Sequence, residues 1–285
     1  MCCTFEVSKM SNTKLYAGQA EKNGKTVHVL AYQNEATSSG PNAMVIPFPT
    51  SVKMTQDNII DTSQFKNFLT DITNASKTVT KGARLSRGLD DDMLSFGVTM
   101  AEVFDVGSYT VILADNVNQI PEALGRVPKE KRPNVSSDFL IGYGELYPNQ
   151  PIAVCCWDGA IEAEPLLWWY EPSDTSTLFV PTMDAHDGRA PKVGQRVDTD
   201  HTISVGAAGP TFGNKVRYSQ NIPADVVDLL PTHVHGHRLP DYLENNDCFV
   251  KTASLHQDAK ESLFRGAKAV EIQRGSYKGT MGYWH

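Results

Sequence analysis

Short apolar runs broken by polar turn residues dominate the first third of this chain. β-Branched and aromatic residues gather at Thr4–Ser8, Lys14–Gly18 and Thr26–Gln33, with turn chemistry at Ser11-Asn12 and Asn23-Gly24. That pattern predicts strands, and Asn-Gly between two of them predicts a tight hairpin. The run Asn42–Phe48, stopped by Pro47 and Pro49, predicts a strand at a sheet edge. The periodicity then changes. Phe65, Phe68, Leu69 and Ile72 fall on one helical face behind Thr62 or Ser63 as N-cap. Further strands are predicted at Phe96–Phe104, Tyr109–Ala114, Ile152–Trp157, Pro165–Tyr170 and Thr177–Val180, with short helices at Gln119–Leu124 and Ser136–Ile141. Beyond Ser204 the texture turns to glycine, then to proline, histidine and asparagine. A strand at Asn214–Ser219, an irregular stretch Pro223–Asn246 and a helix near Gln257–Gly266 are expected there. Together these elements predict an α+β fold: a strand-rich, mostly antiparallel sheet core with a few short helices. A core domain over 1–206 is expected to carry a C-terminal extension, 207–285, packed on it.

At 285 residues the chain can bury a substantial core, and 40% apolar with 21% charged residues is ordinary for a globular protein. A net charge of −7 without a basic stripe argues against a nucleic-acid partner. No apolar window reaches 18 residues, which argues against a membrane span. Five cysteines, an odd number, do not suggest a disulfide framework. With no basic and apolar leader, the expected location is the cytoplasm.

Three constellations could carry chemistry. Met1-Cys2-Cys3 opens the chain, and trimming of Met1 would place a free amine beside the Cys2 thiol, the kit of an N-terminal nucleophile. The plain alternative is a first strand with core cysteines. The second constellation is Asp184, His186, Asp187, Asp198, Asp200 and His201. In an extended segment Asp184 and His186 share a face. Carboxylates with imidazoles suit a divalent cation such as zinc, manganese or iron, or a histidine base oriented by a carboxylate. Asp187-Gly188 is also a common turn dipeptide. The third is His233, His235 and His237, which could chelate a metal from one strand face, although Pro231, Gly236 and Pro240 favour a surface loop. In Trp168-Trp169-Tyr170 one face is expected in the core, with the other free to line a pocket. Asp90-Asp91-Asp92 reads as a solvated turn.

Several segments resemble a family of uncharacterised bacterial proteins that begin Met-Cys-Cys. They are Met1–Phe5, Ala43–Pro49, Val106–Tyr109, Ile152–Val154, and Leu178–Thr182 leading into His186-Asp187-Gly188, followed by Asp200-His201. The resemblance covers roughly residues 1–205; Asp184 stands where the family carries a further histidine. It implies a shared fold and names no reaction. The opening residues are also similar to N-terminal-nucleophile hydrolases of the bile-acid-hydrolase type, with Leu15–Gln19 where that family carries Gly-Arg-Asn.

Two functional readings follow. In one, the chain is an amidase-like hydrolase with Cys2 as nucleophile, its α-amine or His186 or His201 as base, and Asp187 or Asp200 orienting that histidine. Its substrate would be a small molecule. In the other, it is a non-enzymatic scaffold that binds itself as a homo-oligomer through groups such as Tyr283 and Trp284. Either could carry a zinc-like ion on Asp184, His186, Asp200, His201, His233 and His235.

Overall fold

A computed structural model describes residues 2–76, 100–208, 213–256 and 272–277. The Asp90–Asp92 turn, the helix expected at 257–266, Tyr283 and Trp284 lie outside the described residues, as does the 96–99 part of the strand expected at Phe96–Phe104.

The fold is α+β, built of mostly antiparallel sheets with a few short helices. Its backbone is the hairpin of Ser8–Lys22 and Lys25–Ser38, closed by Asn23 and Gly24 at φ 54° and 75°. Two consecutive positive φ angles define the turn whose twist matches a hairpin, and this is why Asn-Gly marks it. Ser11-Asn12 is no turn. Asn12 (φ 55°) sits at a β-bulge inside the long strand, where the register shifts between Ser11 and Lys14.

Around this hairpin an eight-stranded sheet assembles. Thr202–Ala207 joins Ser8–Lys22 in parallel, and His233–Arg238 and Asn214–Lys215 follow on that side. Leu166–Tyr170 and Ile59–Ile60 extend the other side, and Ala160–Glu162 pairs with Lys25–Ser38. A second sheet has the order Asn42–Pro47, Ile152–Trp157, Tyr109–Ala114, Glu102–Val106, so the proline-stopped strand does take an edge. Alternation along each strand divides the interior into layers. Leu15, Leu30, Val205 and Trp168 meet Met44, Val111 and Cys155 between the two sheets. Tyr16, Val29, Leu167 and Val234 face the helix Phe68–Ser76 on the outer side. Val45, Ile112, Val154 and Cys156 face the helices Ile120–Leu124 and Ser137–Leu146.

The same alternation explains the aromatic run. Trp168 and Tyr170 are buried between the sheets, whereas Trp169 points the other way and lines a surface cleft with Lys22 and Lys53. It also disposes of the vicinal cysteines. Cys155 and Cys156 face different layers, and burial pushes the Cys156 thiol up to about 12 and Cys155 well above its ordinary value.

The helix begins at Phe68 rather than behind Thr62 or Ser63, because hydrogen-bonded turns at Phe65 and Phe68 precede it. The segment read as a loop, 233–238, is a strand between Thr202–Ala207 and Asn214–Lys215. Residues on both sides of position 206 share sheets, for Asp247–Lys251 also lies between Thr177–Val180 and Ile272–Gly275. Among the described residues no helix is long and apolar enough to cross a membrane.

One buried group gives this core a pH dependence. His28 is 1% exposed, edge-on to Tyr170 at 5.8 Å. Burial lowers its imidazole to about 4, with the Thr175 backbone and the Asp174 charge opposing. Between pH 6.5 and 4 the unfolded chain takes up a proton that the folded chain refuses. Stability therefore falls on acidification, by at most about 3 kcal/mol from this group. His28→Leu is expected to remove that slope from urea midpoints measured between pH 4 and 7. An unchanged slope would mean that His28 is hydrated in the folded protein.

Candidate functional site

The short strand Asp184–Ala185 brings three predicted residues together. Cys2–Cys3 pairs with it in parallel, with Cys2 in register with Asp184 and Cys3 with Ala185. Extended backbone puts Asp184 and His186 on one face, and His186 Nε2 lies 3.4 Å from Asp184 Oδ1. His201 Nε2 reaches the same oxygen at 3.2 Å. It comes from a distant part of the chain, just ahead of the strand that lies parallel to Ser8–Lys22. The centre is thus one carboxylate shared by two imidazoles.

Burial divides their roles. Asp184 is 4% exposed and His201 1%, whereas the His186 side chain is 30% exposed. Burial by itself would raise the Asp184 carboxyl, but the His201 charge and the close approach of both imidazoles outweigh it and hold the group ionised, well below the usual carboxylate range. His186, and not His201, opens into a cleft of about 380 Å³ also lined by Asp187, Arg189, Lys192, Arg196 and Tyr242.

The other expected residues are engaged elsewhere. Asp187 makes a turn: it accepts from the backbone amide of Arg189 at 3.1 Å and ion-pairs with that guanidinium in solvent. Asp200 accepts from the amides of Asn12 and Thr13 and so caps the β-bulge. The carboxylate that lies against the two imidazoles is Asp184. His233, His235 and His237 share the strand face of Ala207, Val205 and Ile203. Among the described residues no three His, Cys, Asp or Glu side chains converge as a metal ion would require.

Two further residues escaped the sequence. Asn245, 1% exposed, donates to the Asp184 carbonyl from Nδ2 at 2.7 Å and accepts from the Asp184 amide at 2.8 Å. Asp247 accepts from the amides of Thr182 and Met183 at 2.9 and 3.3 Å, and from the Tyr147 hydroxyl at 2.7 Å. Cys3 is buried and donates weakly to the Met183 carbonyl at 3.5 Å. Cys248 is buried as well, and burial raises its thiol.

No family model matches the chain. No curated protein matches it either. Among solved structures, the crystal structure of baculovirus P35 is similar, with a TM-score of 0.43 and 12% identity over 88% of this chain and 92% of that one.

Proposed function

We propose that this protein is a cysteine-dependent hydrolase of amide bonds, with Cys2 as nucleophile, His186 as base and Asp184 as the orienting carboxylate. One observation carries the reading. The strand bearing Cys2 lies in register with a buried carboxylate whose partner imidazole opens into a cleft. In such a site His186 takes the thiol proton as the sulfur attacks the acyl carbon. The proton then passes to the departing amine, leaving a thioester. Water, deprotonated by the same imidazole, hydrolyses the thioester and restores the thiol. His201 sits behind Asp184 and keeps it ionised.

Thiol labelling tests this directly. Iodoacetamide at pH 7 is expected to modify Cys2 well ahead of the buried Cys3, Cys155, Cys156 and Cys248. His186→Gln and Asp184→Asn are each expected to slow Cys2 labelling about tenfold, the effect of losing a thiolate-stabilising imidazole. Peptide mapping that finds equal Cys2 rates in wild type and His186→Gln would remove the catalytic case.

A further inference from the structure

We infer that Asn245 is the positioning residue of the Asp184 centre. This deepens the hydrolase reading and rests on it for functional meaning, but its geometry stands apart from Cys2. The strand Asp184–Ala185 is only two residues long, and it has two edges. On one edge Cys2–Cys3 pairs with it, and Thr4 donates to the Ala185 carbonyl at 2.9 Å. On the other edge no strand neighbours Asp184 among the described residues. The Asn245 side chain stands in for one: its amide meets both the N–H and the C=O of Asp184, as the main chain of a paired residue would.

That side chain is itself anchored. The Asn245 backbone donates to the Gln195 carbonyl at 2.7 Å and accepts from Gly194 at 2.9 Å, tying it to the cleft wall. Immediately beyond, the Asn246 carbonyl accepts from the Thr182 hydroxyl at 2.8 Å, and Asp247 holds the amides of Thr182 and Met183. Three consecutive residues thus clasp three consecutive residues, and Asn245 is the one that meets Asp184. The contacts of Asp184 Oδ1 with the two imidazoles, at 3.2 and 3.4 Å, leave little slack. A small drift of the Asp184 backbone takes its carboxylate out of simultaneous reach of both. Removing Asn245 would also strand the N–H and C=O of a buried residue.

A purely structural role and a positioning role part company in the nitrogen NMR spectra of the histidines, assigned through His186→Gln and His201→Gln. In the wild type both Nε2 atoms are expected to carry the signature of a nitrogen held beside a carboxylate. In Asn245→Ala at least one is expected to move toward the averaged position of an imidazole exchanging between tautomers, and in Asn246→Ala neither moves. An Asn245→Ala protein that melts lower yet keeps both signatures would overturn the assignment. Should that variant not fold, the wild type decides. Its Asn245 side-chain amide protons are expected to exchange with water at least about 100-fold more slowly than a free amide, and exchange at the free rate would overturn the proposal. Intact histidine signatures without selective Cys2 labelling would sink the hydrolase reading and leave the positioning role standing.

Discussion

Asp247→Ala is expected to cost about 3–5 kcal/mol of unfolding free energy, because it leaves two backbone amides and the Tyr147 hydroxyl buried without an acceptor. Few side chains in the protein serve so many buried donors at once. The wild-type carboxyl is itself strained electrostatically: burial pushes it up to about 6 from 3.8, against the pull of the Tyr147 and backbone hydrogen bonds. Below pH 3.8 the group is neutral in both states and folding bears no charge penalty. As pH rises through about 6 the folded protein takes on a buried charge that the unfolded chain carries in water, so this group's contribution to stability is lost. The loss is at most about 3 kcal/mol. Asp247→Asn keeps the shape and an acceptor for Thr182 without the charge. It is expected to be more stable than Asp247→Ala and to lack that pH slope. Urea midpoints for the three proteins between pH 4 and 8 decide it; Asp247→Ala within 1 kcal/mol of wild type would show that water reaches the orphaned donors.

His28 and Asp247 act in opposite senses over nearly the same range. One loses stability as acid is added, the other as base is added. The wild-type profile between pH 4 and 6 is therefore flatter than that of either single variant.

Gly236→Ala is the second large effect, about 3 kcal/mol, and its cause is steric. A Cβ at this position would lie 2.1 Å from the Ser76 Cβ, 2.4 Å from its carbonyl oxygen and 2.7 Å from its carbonyl carbon. Two of these are backbone atoms at the end of the helix Phe68–Ser76, so no side-chain rotation relieves them. The Ser76 hydroxyl also bonds Ser204 at 2.6 Å across the same contact, and pushing the helix away breaks that pair. Ser76→Gly removes one clash of the three and is expected to restore only part of the loss. An alanine variant with an unchanged urea midpoint would mean that the helix end slides freely on the sheet.

Gly236 also explains why the histidine strand was hard to read. Glycine and two flanking prolines are loop signals in a local window, yet here the glycine serves a helix packed at contact distance, and Val234 supplies the inward face. The hairpin at Asn23-Gly24 and the helical face of Phe68, Leu69 and Ile72 were legible because their causes are local. So was the shared face of Asp184 and His186, which needs only a period of two. The carboxylate that meets the imidazoles is Asp184, whereas Asp187 and Asp200 were the expected partners because each sits beside a histidine in sequence. In space each caps backbone of its own neighbourhood or of the bulge at Asn12. His201 joins Asp184 only through the parallel pairing of Thr202–Ala207 with Ser8–Lys22, and Asn245 through contacts spanning 61 residues. No window along the chain contains those causes.

The clasp on Asp184 also sets a clock. The strand partner of residues 2–3 is residues 184–185, and the group that fixes that partner is residue 245. At roughly 5–20 residues per second, the stretch from residue 3 to residue 245 takes roughly ten to fifty seconds to make, so Cys2–Cys3 waits that long for its strand partner to be fixed. A half-made chain therefore carries Cys2–Cys3 without a strand to pair with, and that pairing waits until nearly all of the sheets can close.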